Sequence, residues 1–234
     1  ATPGQDCALC VQWAREHDCV MLGPRTLGIQ RPHIGLNASL SSHLALPGKV
    51  ALVSQSEAIV SAVLDWARDA NLGFFSVASM GDETDLTLAN LLDYLATDPR
   101  TDSIAVYIEH MQSPRALFSA LRAAAAVKPV VVLKAGGGSR NPNSETDAVF
   151  NALLRRAGAV RIPYFVQLFS SIKVLRSPVR PKGRRIAVVS NGSGPPQLAL
   201  DIMGAASAVQ QAELSLQTQK TLAESLEDAA QVAN

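Results

Sequence analysis

Short apolar runs alternate with longer amphipathic stretches through the middle of the chain. The first run covers residues 50–53 and is followed by a small polar turn and by apolar residues at helical spacing from 57 to 70. The predicted strands are 50–53, 74–78, 104–108, 130–133 and 160–162, and the predicted helices are 57–70, 86–96, 114–126, 146–156 and 164–175. Near-continuous apolar strands between amphipathic helices are typical of a buried parallel sheet. The pattern therefore predicts an α/β domain with a doubly wound, mainly parallel sheet.

The pattern changes on both sides of this middle region. Before it, residues 7–18 are predicted to form a helix and residues 20–22 a short strand. Residues 24–48 are rich in Gly, Pro, Asn and Ser and show little periodicity, which indicates a connector between modules. After it, residues 177–185 contain Pro, Lys and Arg and indicate a linker.

The order of strand, turn and helix restarts after this linker. Residues 186–189 are predicted to form a strand and 197–203 a helix, and the remainder up to 232 is predicted to be helical without further strands. The expected segments are an end piece with its connector over 1–47, a complete domain over 48–176, the linker over 177–185 and the first part of a second, similar domain over 186–234. Because the chain starts without Met and ends without a closing strand, we expect a piece of a longer protein.

Composition narrows the classes of function. The 234 residues are 47% hydrophobic and 18% charged with a formal net charge of +1, which is ordinary for a soluble globular protein and gives no reason to expect nucleic acid or a membrane surface as partner. No apolar run is long enough to span a bilayer, and no signal peptide is visible. The three cysteines, Cys7, Cys10 and Cys19, lack a second pair that would complete a zinc site, so ordinary thiols in a reduced cytoplasm are expected.

Polar residues follow the predicted strands at their carboxyl ends, where doubly wound sheets bind ligands. Ser54, Gln55 and Ser56 come after the first strand and open a helix, so this turn is predicted to offer free backbone N–H groups and a positive helix end. The alternative at this turn is that Ser54 or Ser56 only caps the helix. If an anion binds, we expect it to contact the backbone N–H groups of Gln55 and Ser56.

Further polar groups belong to the same predicted edge, and a second turn of the same design follows the strand at 186–189. Two helix N-termini directed at one point would bind a phosphoryl group. Neither turn has the sequence of a P-loop or of a dinucleotide fingerprint. The residues predicted to bind phosphate, a nucleotide or CoA are Ser54, Gln55, Ser56, Gly81, Asp82, Glu109, Asn191, Gly192, Ser193 and Gly194.

Other candidate chemistry is weaker. His110 is interpreted as a surface histidine, and Asp82, Glu83 and Asp85 as a solvated helix start rather than a metal cluster. No serine lies in a Gly-x-Ser-x-Gly turn, which argues against a self-contained hydrolase. We therefore assign no catalytic residue and no metal ligand from the sequence.

An ordered series of motifs resembles the succinyl-CoA-synthetase-type region of ADP-forming acyl-CoA synthetases. Gly-Pro-Arg-Thr-Leu-Gly at 23–28 is similar to the motif that closes the CoA-binding domain of that family, and Asn-Gly-Ser-Gly-Pro at 191–195 is similar to the turn that opens its next ligase domain. The other matching motifs are Gly-Leu-Asn-Ala-Ser at 35–39, Val-Ser-Gln-Ser at 53–56, Leu-Asp-Trp-Ala at 64–67, Gly-Asp at 81–82, Leu-Leu-Asp-Tyr-Leu at 91–95 and the run at 131–136. The resemblance implies a flavodoxin-like fold for 48–176 and places the end of a CoA-binding domain in 1–47.

The same resemblance implies a phosphohistidine that this chain lacks. In the active synthetases a histidine in a loop after the strand matching 130–133 carries the phosphoryl group, held by two helix N-termini and a glutamate; the turns at 54–56 and 191–194 and Glu109 match these supports. Between 137 and 145 the chain has no histidine, and the loop is short. Serine or arginine cannot replace an imidazole that is both nucleophile and leaving group near neutral pH.

Three hypotheses for function follow. The first is an acyl-CoA-sensing regulatory region of a bacterial GNAT-type protein lysine acetyltransferase, a branch of the family that lacks the histidine. The second is part of an ADP-forming acyl-CoA synthetase, and the third is a structural or oligomerisation module. The resemblance implies CoA or acyl-CoA, and ATP, ADP or phosphate, as ligands, with no covalently bound cofactor. It implies the rest of the same protein, and a second copy of the chain, as partners.

Overall fold

The computed structural model describes residues 3–136, 145–177, 179, 182–190, 192–205 and 209–225. The chain divides into two compact units, Ala1–Pro178 and Val179–Asn234. No helix in the described part of the chain is long and apolar enough to cross a membrane.

The first unit is built on one seven-stranded sheet in the order β2-β1-β4-β3-β5-β6-β7. The strands are β1 Gly28–Arg31, β2 Leu36–Ser39, β3 Leu46–Ser54, β4 Gly73–Ser79, β5 Ser103–Ile108, β6 Val130–Lys134 and β7 Val160–Ile162. The helices are α1 Pro3–Glu16, α2 Glu57–Asp69, α3 Leu88–Thr97, α4 Pro114–Val127, α5 Glu145–Ala157 and α6 Phe165–Arg176. The strands β3 to β7 pair in parallel, which confirms the predicted doubly wound α/β sheet.

Helices cover both faces of this sheet because its central strands are apolar on both sides. Buried residues of α3, α4 and α5 pack on one face together with Val53, Val106 and Val132. Buried residues of α2 and α6 pack on the other face together with Leu52 and Ala105. The alternation of neighbouring strand residues between the two cores is what a parallel sheet buried on both sides requires.

The strand order reverses between β3 and β5. From β3 the chain passes to β4 on one side of it and returns to β5 on the other side. Crevices at such switch points, beyond the carboxyl ends of the strands, are the usual ligand sites of open α/β sheets. Ser54 ends β3, and Glu109 directly follows β5, so both lie at this switch point.

The prediction of an irregular connector over 24–48 is wrong. β1 and β2 form an antiparallel hairpin there, and β1 pairs with β4 at the edge of the main sheet. Gly28 has a φ of +104°, and a Cβ at this residue would lie 2.2 Å from the carbonyl oxygen of Ala38, so only glycine fits the hairpin. The apolar pattern missed β1 because its buried residue is polar: Gln30 is 1% exposed.

The predicted strand at 20–22 and the predicted start of the third helix are also wrong. Residues 20–22 do not form a strand; the N–H of Met21 donates instead to the carboxylate of Asp85 (2.9 Å), and its carbonyl accepts from the N–H of Leu86 (3.2 Å). α3 begins at Leu88 rather than at residue 86, because Thr87 and Asn90 form a capping box at its start.

The second unit repeats the order of strand and helix on a smaller scale. It contains β8 Arg185–Ile186, α7 Gly194–Ala205, β9 Gln210–Gln211 and α8 Leu216–Ser225, and the two strands pair in parallel. β8 is shorter than the predicted strand at 186–189, and β9 was not predicted because two exposed glutamines carry no apolar signal. The start of a second, similar domain over 186–234 stays a prediction.

Candidate functional site

The polar groups of the turn after β3 form hydrogen bonds with one another and with β5. The hydroxyl of buried Ser54 donates to the carbonyl oxygen of Ser56 (2.8 Å) and accepts from the N–H of Ser56 (3.0 Å). The N–H of Gln55 donates to the carbonyl oxygen of Tyr107 in β5 (3.2 Å). Both N–H groups expected to contact an anion are therefore used within the fold, and the prediction that they are free donors is wrong.

The donors available at this turn lie one residue further along the chain. Ser56 is the N-cap of α2, but its side chain makes no capping hydrogen bond. The first intrahelical bond runs from the N–H of Val60 to the carbonyl of Ser56 (3.2 Å). Because the first N–H groups of a helix have no intrahelical partner, those of Glu57, Ala58 and Ile59 are the donors that this helix end offers.

The side chain of Gln55 is a clamp inside the protein. Its Oε1 accepts from the N–H groups of Glu109 (2.6 Å) and His110 (3.0 Å), and its Nε2 donates to the carbonyl of His110 (2.9 Å) and to the carboxylate of Glu83. All hydrogen-bonding positions of this amide are then occupied. Gln55 therefore joins the end of β3 to the segment after β5.

Glu83 completes this clamp from the loop after β4. Its side chain is buried, and its second oxygen accepts from the N–H of Leu88 at the start of α3 (2.8 Å). The residue has a φ of +52°, a left-handed backbone that non-glycine residues seldom adopt. The interpretation of Glu83 as part of a solvated helix start is wrong, because its carboxylate holds Gln55 and caps α3.

Asp82 and Gly81 pack against the segment after α1. Gly81 has a φ of +60°, and a Cβ there would lie 2.0 Å from the carbonyl oxygen of Pro24. The carboxylate of Asp82 accepts from the Nε of Arg25 through both oxygens (2.9 and 3.0 Å). The hydrogen bond and the charge of Asp82 raise the pKa of Arg25, and Glu109 and Glu57 add to this effect.

Arg25 was missed at the level of sequence, because it lies 57 residues before its partner in a segment interpreted as a connector. We call the ion pair of Arg25 and Asp82, together with Glu57 at the start of α2 and Glu109, whose charges also act on Arg25, the β3–β5 site. Its three carboxylates outnumber the guanidinium of Arg25, so the group is more acidic than the predicted phosphate cradle.

Glu109 is exposed at the carboxyl end of the sheet, as predicted. Its carboxylate accepts from the hydroxyl of Tyr107 (3.2 Å), and its backbone carbonyl accepts from the Nζ of Lys134 (2.8 Å). Burial and then the charge of Glu109 raise the pKa of Tyr107, so this hydroxyl keeps its proton and stays a donor. His110 is exposed, in agreement with a surface histidine.

The predicted second turn belongs to the second unit. α7 begins at Gly194, the N–H of Gln197 donates to the carbonyl of Ser193 (3.3 Å), and the N–H of Gly192 donates to the hydroxyl of Ser190 (3.2 Å). The helix begins three residues before the predicted start at 197, inside the predicted turn. Asn191 lies outside the described residues, as does the loop at 137–144.

Within the described ranges, no three His, Cys, Asp or Glu side chains come close enough together to hold a metal ion.

Comparison with known proteins shows which family and which relatives this chain resembles. Residues 47–175 match the model of the succinyl-CoA ligase-like flavodoxin domain. The chain is 31% identical over 200 residues to acetate–CoA ligase (ADP-forming) I of Archaeoglobus fulgidus, covering 82% of this chain and 29% of that protein. It is 28% identical over 200 residues to the α subunit of acetate–CoA ligase (ADP-forming) I of Pyrococcus furiosus, covering 82% of this chain and 43% of that subunit.

A solved structure agrees with these sequence relatives. The dinucleotide-forming acetyl-coenzyme A synthetase 1 of Candidatus Korarchaeum cryptofilum, in complex with phosphate and ADP, superposes with a TM-score of 0.80 at 27% identity and covers 90% of this chain and 48% of that one. The chain thus spans less than half the length of the relatives it matches. The family match covers more than half of this chain. The chain therefore belongs to the family of succinyl-CoA ligase-like flavodoxin domains.

Proposed function

We propose that this chain is the ligase-like part of an ADP-forming acyl-CoA synthetase, which joins a carboxylic acid to CoA while ATP is converted to ADP and phosphate. The observation that carries the proposal is the extended match to ADP-forming acetate–CoA ligases, which includes the strand end at Ser54 and the switch point beside Glu109. CoA or acyl-CoA, an adenine nucleotide and phosphate are the ligands that this function requires.

The role of the β3–β5 site in this function is to hold a phosphoryl group at the N-terminus of α2. The N–H groups of Glu57, Ala58 and Ile59 and the guanidinium of Arg25 are its positive elements. Gln55 positions the segment that carries Glu109, without contacting the ligand itself. The second helix start, at Gly192, Ser193 and Gly194, is proposed as a further support for phosphate or nucleotide.

The segment does not supply a histidine to carry the phosphoryl group in the expected loop. The residues between 137 and 145 contain none, and the last histidine of the chain is His110. In this proposal the chain binds the phosphoryl group, and the imidazole that accepts it is supplied from elsewhere in the protein.

The test uses the whole protein that contains this chain. Acetyl-CoA, ADP and inorganic phosphate are supplied together, and ATP formation is followed with luciferase. The proposal predicts ATP formation that depends on all three substrates and falls at least about tenfold in Glu109→Gln. A protein that is folded and binds acetyl-CoA but forms no ATP would contradict it.

A second candidate rests on the missing histidine. A region that keeps the ligase-like fold but lacks the phosphoryl acceptor would serve as an acyl-CoA sensor for a protein lysine acetyltransferase. Here the whole protein would acetylate a lysine-containing protein, and acyl-CoA binding to the ligase-like region would change that rate. Phosphorylation of the protein on histidine by ATP, or by acyl-CoA with phosphate, would contradict this candidate.

A further inference from the structure

A cavity of about 890 Å³ opens at the carboxyl ends of β6 and β7, next to α5. The register pairs Arg161 of β7 with Val132 of β6, and because side chains alternate along a strand, Lys134 and Arg161 leave the sheet on the same face. The Nζ of Lys134 lies 6.0 Å and the guanidinium carbon of Arg161 5.6 Å from the centroid of the same buried ring, Phe150. Both cations therefore lie within about 6 Å of one aromatic ring.

The positive charge of this group is only partly neutralised. Arg161 donates to both oxygens of Asp147 (2.8 and 3.0 Å) and to the side-chain oxygen of Asn151 (2.7 Å). Lys134 donates to two backbone carbonyls, those of Glu109 (2.8 Å) and Ala135 (2.6 Å), and in the described part of the chain it forms no ion pair.

Among the described residues that line the cavity, three are cations, Lys134, Arg155 and Arg161, and one is a carboxylate, Asp147. Burial and then repulsion by Arg161 lower the pKa of Lys134, and the charges of Asp147 and Glu109 oppose this shift without cancelling it. An anion in the cavity would relieve this repulsion.

We propose that this cavity binds the phosphate group of a phosphorylated small molecule, with Lys134, Arg155 and Arg161 as its cations. Arginine and lysine together are the usual ligands of phosphate oxygens, and the volume is that of a small-molecule site. Tyr164 also lines the cavity and is 66% exposed, so its ring is available to the organic part of the ligand. We call this group the β6–β7 cavity; it adjoins the β3–β5 site through the bond from Lys134 to the backbone carbonyl of Glu109, and the proposal does not rest on the proposed function.

Calorimetric titration of the full chain tests this proposal, with AMP as the phosphate ester and inorganic phosphate as the free anion. Lys134→Met is expected to weaken AMP binding at least about tenfold, because a charged hydrogen-bond donor is lost. Lys173→Met is the matched control: it removes the same charge from an exposed residue of α6, and it should leave the affinity unchanged. Arg155→Gln offers a second variant at an exposed residue, and it should weaken binding about fivefold.

Arg161 is probed by the conservative Arg161→Lys, because truncation would leave Asp147 without its partner. This variant keeps the charge but loses the two-pronged geometry, so a severalfold weakening is expected. Tyr164→Ala should weaken AMP and leave inorganic phosphate unchanged. Absence of AMP binding, or equal weakening by Lys134→Met and Lys173→Met, would overturn the site. Equal affinity for AMP and inorganic phosphate would overturn its assignment to a phosphorylated small molecule.

Discussion

Two regions on the carboxyl edge of one sheet carry opposite charge. The β3–β5 site has three carboxylates with Arg25 as their cation, whereas the β6–β7 cavity has three cations with Asp147 as their carboxylate. Both contain the residue types expected of a ligand site. They differ in how far their polar groups are already used inside the protein.

Beside the β3–β5 site, the side chain of Gln55 has no hydrogen-bonding position left for a ligand. Gln55 makes four hydrogen bonds to Glu83, Glu109 and His110, while Lys134 in the β6–β7 cavity meets only backbone carbonyls. A polar residue next to a strand end is therefore not yet a ligand-binding residue. What matters is whether a donor or a charge is left over once the fold is complete.

The largest expected effect comes from Glu83, the buried carboxylate that holds Gln55 beside the β3–β5 site. Glu83→Ala leaves the N–H of Leu88 and one of the two N–H bonds of the Gln55 amide without an acceptor, while the other N–H still donates to the carbonyl of His110. Two unsatisfied buried N–H bonds should lower the free energy of unfolding by about 3 kcal/mol. Urea unfolding measures this change. Glu57→Ala, at an exposed glutamate of the same site, is the control and should cost less than about 1 kcal/mol; a loss that small for Glu83→Ala would contradict the clamp.

A smaller effect is expected from the clamp residue itself. Gln55→Leu removes the acceptor of the N–H groups of Glu109 and His110, which should lower the free energy of unfolding by about 2 kcal/mol and speed hydrogen exchange at these two amides. Gln167→Leu is the matched control, since Gln167 is an exposed residue of α6 and the change should alter stability by less than about 0.5 kcal/mol. Unchanged exchange at Glu109 and His110 would show that Gln55 does not hold this segment.

The β6–β7 cavity should instead affect how the free energy of unfolding depends on pH. The pKa of Lys134 is lowered in the folded chain, so between this value and the unfolded value of 10.5 the unfolded state binds more protons. Stability attributable to Lys134 therefore rises as the pH increases through this window. Urea unfolding at a series of pH values should show the rise in the wild type and its loss in Lys134→Met, and added AMP should move the pKa of Lys134 upward. A pH profile that is the same in both proteins would contradict the repulsion between Lys134 and Arg161.

The smallest effect on stability is expected at Arg25. Its ion pair with Asp82 is largely exposed, with 80% of the arginine side chain accessible, so Arg25→Gln should leave the urea midpoint unchanged. Loss of the cation should nevertheless weaken phosphate binding at the β3–β5 site about threefold. Arg122→Gln, at an exposed residue of α4, should change neither quantity. A large stability loss in Arg25→Gln would mean that the pair is structural rather than part of the site.

The sequence predicted the buried part of the fold because burial leaves an apolar signal. All five central strands were located in this way, and the parallel sheet follows from them. The hairpin of β1 and β2 was not located, because Gln30 is its buried residue and satisfies its amide with Asn37, Ser39 and the backbone of His43 and Ala45. A strand whose inward side chain is polar resembles a loop in the pattern.

The site was predicted in position but not in its contacts. Ser54 and Glu109 lie at the expected strand ends, since the alternation of strand and helix determines the carboxyl edge. The occupied N–H groups of Gln55 and Ser56 depend on a turn geometry that no periodicity encodes. The partners of Gln55 lie 28, 54 and 55 residues away, so its clamp could not be inferred from local sequence.

One titration tests the central difference between occupied and available donors most directly. Inorganic phosphate is added to isotope-labelled chain, and the backbone amide resonances from 54 to 60 are followed by NMR. The amides of Glu57, Ala58 and Ile59 should shift with phosphate, while those of Gln55 and Ser56 stay in place because their hydrogen bonds are internal. Shifts largest at Gln55 and Ser56, or none at Glu57 to Ile59, would contradict the account.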